Sequence, residues 1–464
     1  MPDFTNHLSD EDALMWNIEK DPELRSTIVA AAILDAAPEW DRLVARVRHA
    51  TLLIPRMRQR VLSPPFRLGP PRWAVDPNFD LHFHLRRARL PEPGDRRTLL
   101  DLIEPIAMAS FDRARPLWEL HLVEGLDGDG AAIVLKIHHA VTDGVGGIQL
   151  AAHLVDFSRD GDRDRRATSP DRPAGERFNS LQLVGDSLQH VGRRWRGIAS
   201  RVPGSTIRLT GAVLRDPTGT TRAATDTARS VVKLLKPANT PMSPVMGRRS
   251  LGRRLDTMEF AVDDLKRAAK HTDGTLNDAF VAAVLGGLWH YHDHHGAPVA
   301  QLRMTMPINL RTAKDAGTAG NHFTPVRFPV PLTLADPVER MQRIRELVTL
   351  ERAEPAIELT GALASILNRL PTATTTAIFG SMLKGADFVA TNVPGAPMPI
   401  YVCGSEVLGF FAFAPPGGAG ANVALMSHCD RCCIGVVTDT AAVPDPDVFV
   451  ASLRRGFDEV IALG

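Results

Sequence analysis

Histidines 138 and 139 stand side by side in "LKIHHAVTDG" (residues 135–144), with Asp143 four positions past the second and Gly144 directly after it. A neutral imidazole, whose reference pKa is near ~6.5, can take up a proton at physiological pH. Such a group suits a general base, a role worth roughly 10²–10⁴-fold in rate. The apolar run "AAIVLKIHH" predicts a strand that ends at the pair. Alternate side chains of a strand share a face, so Ile133, Leu135, Ile137 and His139 fall together, and Val134, Lys136 and His138 fall opposite. The first set is apolar and is expected to look inward, which places His139 at the dry edge of its lobe. A turn beyond the strand can aim the Asp143 carboxylate at an arginine or a backbone amide, and Gly144 with the following "VGG" lets the backbone bend sharply. A paired histidine on an apolar strand is equally what a hydrogen-bonded core group looks like. The spacing His-His-x-x-x-Asp-Gly at a strand end is what favours chemistry.

The elements that must hold this cluster alternate between strand and helix in both halves. Ahead of it, "STIVAAAILDAAP" reads as a strand, "EWDRLVARVRHATLL" and "RTLLDLIEPIAMASF" as helices, and "WELHLVEGL" as a strand joined through "DGDG" to the histidine strand. "GGIQLAAHLVDF" has helical periodicity. The stretch "SRDGDRDRRATSPDRPAGER" is the best linker. Residues 178–235 then mix apolar and basic positions, which fits either connecting helices with solvated arginines or a basic amphipathic surface on anionic lipid, with Trp195 at the interface. After it come a strand and helix in "RRLDTMEFAVDDLKRAAK" and a long helix in "GTLNDAFVAAVLGGLWHYHDHH", capped at Thr275 or Asn277. Strands follow in "QLRMTMPINLR", "FVATNVPG" and "IYVCGSEVLGFFAF", and "NVALMSHC" with "CIGVVTDT" forms a hairpin through Asp430 and Arg431. The divisions drawn are an N-terminal lobe over 1–158, a linker with connecting helices over 159–249, and a C-terminal lobe over 250–464.

A chain of 464 residues is too long for one ordinary core, and 44% hydrophobic with 23% charged residues is a globular mixture. A net charge of +1 gives no reason to expect nucleic acid as a partner. Four cysteines make no disulfide framework, so a reducing cytoplasm is the simple expectation. The opening "MPDFTNHLSDEDALMWNIEK" lacks a basic-then-apolar signal, and no apolar stretch approaches the ~20 residues of a membrane span, so membrane contact is expected to be peripheral. Three other clusters compete for attention. "HYHDHHG" sets His290 and His294 one helical turn apart, a zinc-like spacing without an obvious third ligand, and a solvated helix end is the favoured reading. "HCDRCC" has Cys429 and Cys432 at CxxC spacing beside His428 and Cys433, with Cys403 a poor substitute for a second ligand pair; a tight hairpin is favoured. "APPGGAGANVAL" is glycine-rich but lacks the lysine and hydroxyl residue of a phosphate loop, and a loop lining the site is the favoured reading.

"HHAVTDG" resembles the HHxxxDG signature of the CoA-dependent acyltransferases, which include chloramphenicol acetyltransferases, peptide-synthetase condensation domains and bacterial wax ester synthase/diacylglycerol acyltransferases. Further stretches are similar to blocks of the last group. "RPLWELHLVEGL" resembles its PLW block, "LNDAFVAAVLGGL" its Asn-Asp block, "MPINLR" its Pro-x-Asn-Leu-Arg block and "ATNVPG" its Asn-Val-Pro-Gly block. Order and spacing agree over nearly the whole chain. The opening departs from the family form, with Ser9, Asp10, Glu11 and Asp12 in place of proline-leucine-aspartate, and "GNHFTPVRFPVPL" matches only loosely.

This resemblance implies an α/β fold of two similar chloramphenicol acetyltransferase-like lobes packed around a central tunnel, with acyl-CoA and an acceptor alcohol entering from opposite mouths. It implies that His139 is the base, with His138 beside it, and that no cofactor is needed, acyl-CoA being a substrate. Asp143 would hold the motif loop, with Gly144 and Arg311 as its support. Asn277 and Asp278 would lie near the tunnel or cap their helix. Pro116, Leu117 and Trp118 would pack beneath the site, and Asn309, Asn392, Pro394 and Gly395 would flank the substrate. Diacylglycerol is the expected acceptor, giving triacylglycerol. A fatty alcohol, giving a wax ester, is the nearest alternative. Two rivals remain: a weakly active homologue that coats lipid droplets, and condensation chemistry on a carrier-bound thioester. The enzyme is expected at the inner face of the membrane or on lipid droplets, and its oligomeric state is left open.

Overall fold

Two six-stranded sheets organise the described part of the chain. The computed structural model describes residues 6–142, 147, 151–161, 171–193, 196, 240–309, 323–354, 364–365, 367–368 and 370–464. Helix α1 (Asp10–Ile18) starts at Ser9, whose hydroxyl accepts the Asp12 amide at 3.0 Å. Asp10, Glu11 and Asp12 in its first turn complement the helix dipole, so the unusual opening works as a cap. Strand β1 (Thr27–Leu34) and helix α2 (Trp40–Leu53) follow, then a small hairpin of β2 (Gln59–Leu62) and β3 (Arg72–Val75). The one-turn helix α3 (Leu81–His84) leads into β4 (Leu85–Arg89), then come α4 (Arg96–Met108), β5 (Trp118–Leu126) and β6 (Gly130–His138).

The second half opens with β7 (Arg253–Ala261), α5 (Val262–Lys270) and α6 (Leu276–His294). It continues through β8 (Gln301–Asn309), β9 (Phe323–Pro331), α7 (Pro337–Arg352), α8 (Thr372–Leu383) and β10 (Phe388–Val393). The strands β11 (Tyr401–Val402), β12 (Ser405–Phe413), β13 (Ala421–His428) and β14 (Arg431–Asp439) precede the last helix, α9 (Pro446–Ile461). The β13–β14 hairpin forms as expected, although its turn is Cys429 and Asp430, and Arg431 already belongs to β14.

The first sheet runs β11-β12-β1-β6-β5-β4 and the second β7-β14-β13-β10-β8-β9. The expected 250–464 lobe therefore lends β11 and β12 to the sheet of the first lobe. β12 pairs antiparallel with β1, from Val29 opposite Phe413 to Leu34 opposite Val407. On its other side β12 lies against the second sheet so closely that a Cβ on Gly435 would sit 2.1 Å from the Ala412 carbonyl oxygen. Only glycine permits that approach.

Both faces of the first sheet are covered. Ile133 and Ile137 pack with Leu43, Val47 and Ala50 of α2, while Ala132 and Val134 pack with Leu99, Leu100 and Ile103 of α4 and with Leu255 and Val437 of the second half. This corrects the expectation of one inward and one outward face: Lys136 and His138 are each only 1% exposed. A sheet buried on both faces is read from nearly continuous apolar sequence, and strict alternation does not apply. In the second half α6 is buried from Asp278 to Leu288 between the sheet, α7 and α9.

Asp143, Gly144, Trp195 and Arg311, with most of the expected helix after the histidines and most of the basic segment, lie outside the described residues. The helical run 180–193 is described and docks on the first lobe. Asp186 accepts from Arg72 at 3.0 Å and faces His7 at 2.8 Å.

Replacing Gly435 by alanine is expected to push β12 away from β14 and to cost about 1–3 kcal/mol, as overpacking does. Chemical denaturation of the variant against the parent protein measures it; an unchanged midpoint and slope would mean that the two sheets have room to spare.

Candidate active site

The two histidines lie where β6 runs out against the start of β1. Thr27 opposes His138 in the β1–β6 register. One residue before that pairing, the Ser26 carbonyl accepts the His139 amide at 2.8 Å. On the other side of β6, the Leu117 carbonyl accepts the His138 amide at 3.0 Å. The backbone of the pair is thus gripped from both neighbouring strands. The His138 ring turns inward between Trp16 and Phe111, edge-on at centroid distances of 5.8 and 6.0 Å. Its Nδ1 accepts the Ala140 amide at 2.9 Å. That bond leaves Nδ1 unprotonated, so in the neutral ring Nε2 carries the proton. Nε2 lies 2.9 Å from Glu19 Oε1, close enough for charge to matter though off line for a hydrogen bond. His139 is half-buried and its Nδ1 is enclosed by protein.

Glu19 terminates α1 and was not singled out in the sequence, where it is one charge among several. Its Oε1 accepts the Ser26 amide at 2.7 Å, and Oε2 faces Arg113 at 3.3 Å. Burial works to raise its pKa, but the charge of His138, the Ser26 amide and Arg113 outweigh that and leave the carboxyl below its ordinary value. Beside it opens a cavity of about 260 Å³ whose wall includes Trp16, Lys20, Arg25, Phe111, Arg113 and His138. A smaller cavity of about 60 Å³ lies between the halves, where Ala414, Pro415 and Pro416 of the glycine-rich stretch meet Arg25, Thr27 and Leu255.

The other expected site residues occupy distinct places. Leu117 and Trp118 are buried under the histidine turn; the Trp118 indole donates to the Met57 carbonyl at 2.8 Å, and its ring stacks on His84 at 4.7 Å. Pro116 receives the Trp118 amide at 3.1 Å. Thr275 caps α6, and Asp278 completes the cap by accepting the Thr275 amide at 2.8 Å and hydroxyl at 2.9 Å. Asn277 does not cap; its amide lies 3.9 Å from the Met306 sulfur. Asn309 ends β8, where it opposes Phe323. Asn392 opposes Leu425, and the turn through Pro394 and Gly395 rests on β13, where a Cβ on Gly395 would lie 1.9 Å from the Ser427 carbonyl oxygen.

The competing clusters take structural roles. His290 is buried and lies 2.5 Å from Glu459, which also receives Arg340 at 2.7 Å, and His292 bonds Ser243 at 2.8 Å. The expected solvated helix end holds for His294, which is exposed, and fails for His290, which α9 covers through Glu459. Cys432 and Cys433 are buried in β14, where burial pushes their thiols up to about 12 and about 11.

Solved structures of an acyltransferase and of condensation domains share this fold. The wax ester synthase/diacylglycerol acyltransferase from Marinobacter aquaeolei VT8 superposes with a TM-score of 0.61 at 20% identity, covering 98% of each chain. The first condensation domain of the calcium-dependent antibiotic synthetase does so with a TM-score of 0.62 at 14% identity, covering 99% and 96%. Sequence separates these. Residues 8–280 match the wax ester synthase/diacylglycerol acyltransferase catalytic domain, and residues 319–460 match the C-terminal domain of the same group. A Mycobacterium tuberculosis protein named as a diacylglycerol O-acyltransferase is 37% identical over 462 residues, covering 100% of this chain and 93% of its own length. A second protein of that name in the same organism is 28% identical over 473 residues, covering 98% and 95%. The chain belongs to the wax ester synthase/diacylglycerol acyltransferase family and is an acyl-CoA-dependent acyltransferase.

Charges beneath the histidine turn set the acid response of the first lobe. Glu119 on β5 lies 3.6 Å from the Lys136 ammonium and 3.2 Å from His121, with Arg86 at 3.5 Å. Burial alone would raise its pKa, but His121, Lys136 and Arg86 together bring it down to about 2. A carboxylate with a folded pKa below its unfolded value adds stability that is complete above the unfolded value and is lost as pH falls toward the folded one. Thermal midpoints are expected to fall between about pH 4.5 and 2, and Glu119→Gln to flatten that slope. Parallel slopes for variant and parent would count against the cluster.

Proposed function

We propose that the protein transfers a long-chain acyl group from acyl-CoA to the free hydroxyl of diacylglycerol, with His139 as the base. The observation that carries this reading is the His139 backbone held at the end of β6 by Ser26, in a chain whose full-length relatives are named diacylglycerol O-acyltransferases. The His139 imidazole takes the hydroxyl proton as the alcohol oxygen attacks the thioester carbonyl carbon. The tetrahedral intermediate collapses, the C–S bond breaks, and the imidazolium returns its proton to the CoA thiolate. Ester and CoA leave, and no acyl-enzyme is needed when both substrates are bound together, which supplies the proximity.

Such an acceptor resides in lipid, so the enzyme has to work at a lipid surface. Among the described residues no helix is long and apolar enough to cross a membrane. Support for surface contact comes from Phe66, 93% exposed at a backbone φ of 52°, and from Leu181, 83% exposed. The loop carrying Phe66 and the run 180–193 are neighbours, because Gly69 backs directly onto Ser187. Exposed apolar side chains on these adjoining segments are the surface offered to lipid.

His139→Ala is expected to lower triacylglycerol formation from labelled palmitoyl-CoA and diacylglycerol by roughly 10²–10⁴-fold, the worth of a general base. Native turnover in the variant would refute the assignment, and preference for hexadecanol over diacylglycerol would make the product a wax ester. Phe66→Ser with Leu181→Ser is expected to weaken co-sedimentation with phosphatidylglycerol-containing vesicles at least tenfold, since each large apolar side chain removed from water contributes ~1.5–3 kcal/mol. Equal sedimentation would place the contact elsewhere.

A further inference from the structure

One carboxylate oxygen reaches both supports of the histidine turn. Glu19 Oε1 takes the Ser26 amide at 2.7 Å and lies 2.9 Å from His138 Nε2. From each of these groups one hydrogen bond runs on to the turn: the Ser26 carbonyl accepts the His139 amide at 2.8 Å, and His138 Nδ1 accepts the Ala140 amide at 2.9 Å. The two backbone amides that bracket the His139 α-carbon and carbonyl are therefore both bonded to groups that Glu19 touches, Ser26 through a hydrogen bond and His138 through close charge contact. We infer that Glu19 is a positioning residue for the base, acting through the first histidine of the pair and through Ser26. This rests on the reading of His139 as the base.

The surroundings suit that task. Arg113 faces the second carboxylate oxygen at 3.3 Å and stacks over Trp16 at 4.0 Å, and Trp16 packs edge-on against His138. Lys20 and Arg25 line the same cavity. Trp16 and Phe111 pack edge-on against the His138 ring, and the Ala140 amide fixes its Nδ1. A working histidine displaced by even ~1 Å loses rate steeply, whereas substrate affinity need not change.

The test uses the full-length protein with palmitoyl-CoA and diacylglycerol, and four variants: Glu19→Gln, His138→Ala, their combination, and His139→Ala. Glu19→Gln keeps the shape and the bond to Ser26 but removes the charge facing His138. It is expected to lower kcat about 10- to 100-fold, the range for losing an outer partner of a working histidine, with KM for both substrates within about twofold and an unchanged thermal midpoint. His138→Ala attacks the same clamp from its other end and guards against a Glu19 variant that fails to fold. The double variant is expected to be no slower than the slower single one, because both changes break one chain of contacts. Native kcat in Glu19→Gln while His139→Ala is inactive overturns the inference alone, as do losses that multiply in the double variant. Native turnover in His139→Ala overturns both the inference and the functional reading beneath it.

Discussion

Strand β1 is hydrogen-bonded along both edges, and the rest of the molecule is arranged around that fact. One edge takes β6, whose register brings His138 opposite Thr27 and delivers His139 to the Ser26 carbonyl. The other edge takes β12, a strand from the far half of the chain. The lobes are consequently joined through backbone hydrogen bonds as well as through side-chain packing. Because Gly435 sits against the Ala412 carbonyl, the second sheet can approach the first only as closely as this strand allows. The histidine turn thus ends a strand that pairs with β1, the strand to which both halves contribute a partner.

The side of the sheet that carries His138 is unusual in burying charge. Lys136 is 1% exposed and faces Glu119, while its ammonium also lies 4.6 Å above the Phe111 ring. Burial pulls the Lys136 pKa down even though Glu119 opposes this, so the pair is held by geometry against a real desolvation cost. Replacing such a cluster by apolar groups of equal volume is often neutral or stabilising, which makes stability a poor reason for its presence here. What it supplies is a rigid polar floor with the same ring, Phe111, touching both Lys136 and His138. The floor and the Glu19 contacts constrain the turn from below by different means.

The second half serves as scaffold and partner. Its core is α6, buried almost throughout between the sheet and α9, where a Cβ on Gly287 would meet the Leu453 α-carbon at 2.5 Å. Asp278 belongs to the cap of this helix, and the turn at Gly395 belongs to the close approach onto Ser427. Both segments carry family blocks, and both have a local backbone reason to keep their residue types. A block in the sequence is therefore no proof of contact with substrate.

Much of this was written locally in the chain. Alternating and continuous apolar runs marked β5, β6, the β13–β14 hairpin and α6, since burial of a face repeats at the period of the element that buries it. The histidine pair and the four further blocks resemble those of a known acyltransferase family, and that resemblance pointed to the class of enzyme. The sequence could not show that His138 is as deeply buried as the strand core, because periodicity reports the faces of one element and says nothing about what covers them. Nor did it reveal Glu19, whose importance comes from meeting Ser26 and His138 at once, or the crossing of β12 to β1. These are pairings between segments far apart along the chain, and no neighbouring residues carry their mark. Residue chemistry and spacing marked a candidate base, and the resemblance of the motifs implied the kind of reaction. The meeting of α1, β1, β6 and β12 in space decided where the base is held and by what, because distance along a chain does not encode distance across a fold.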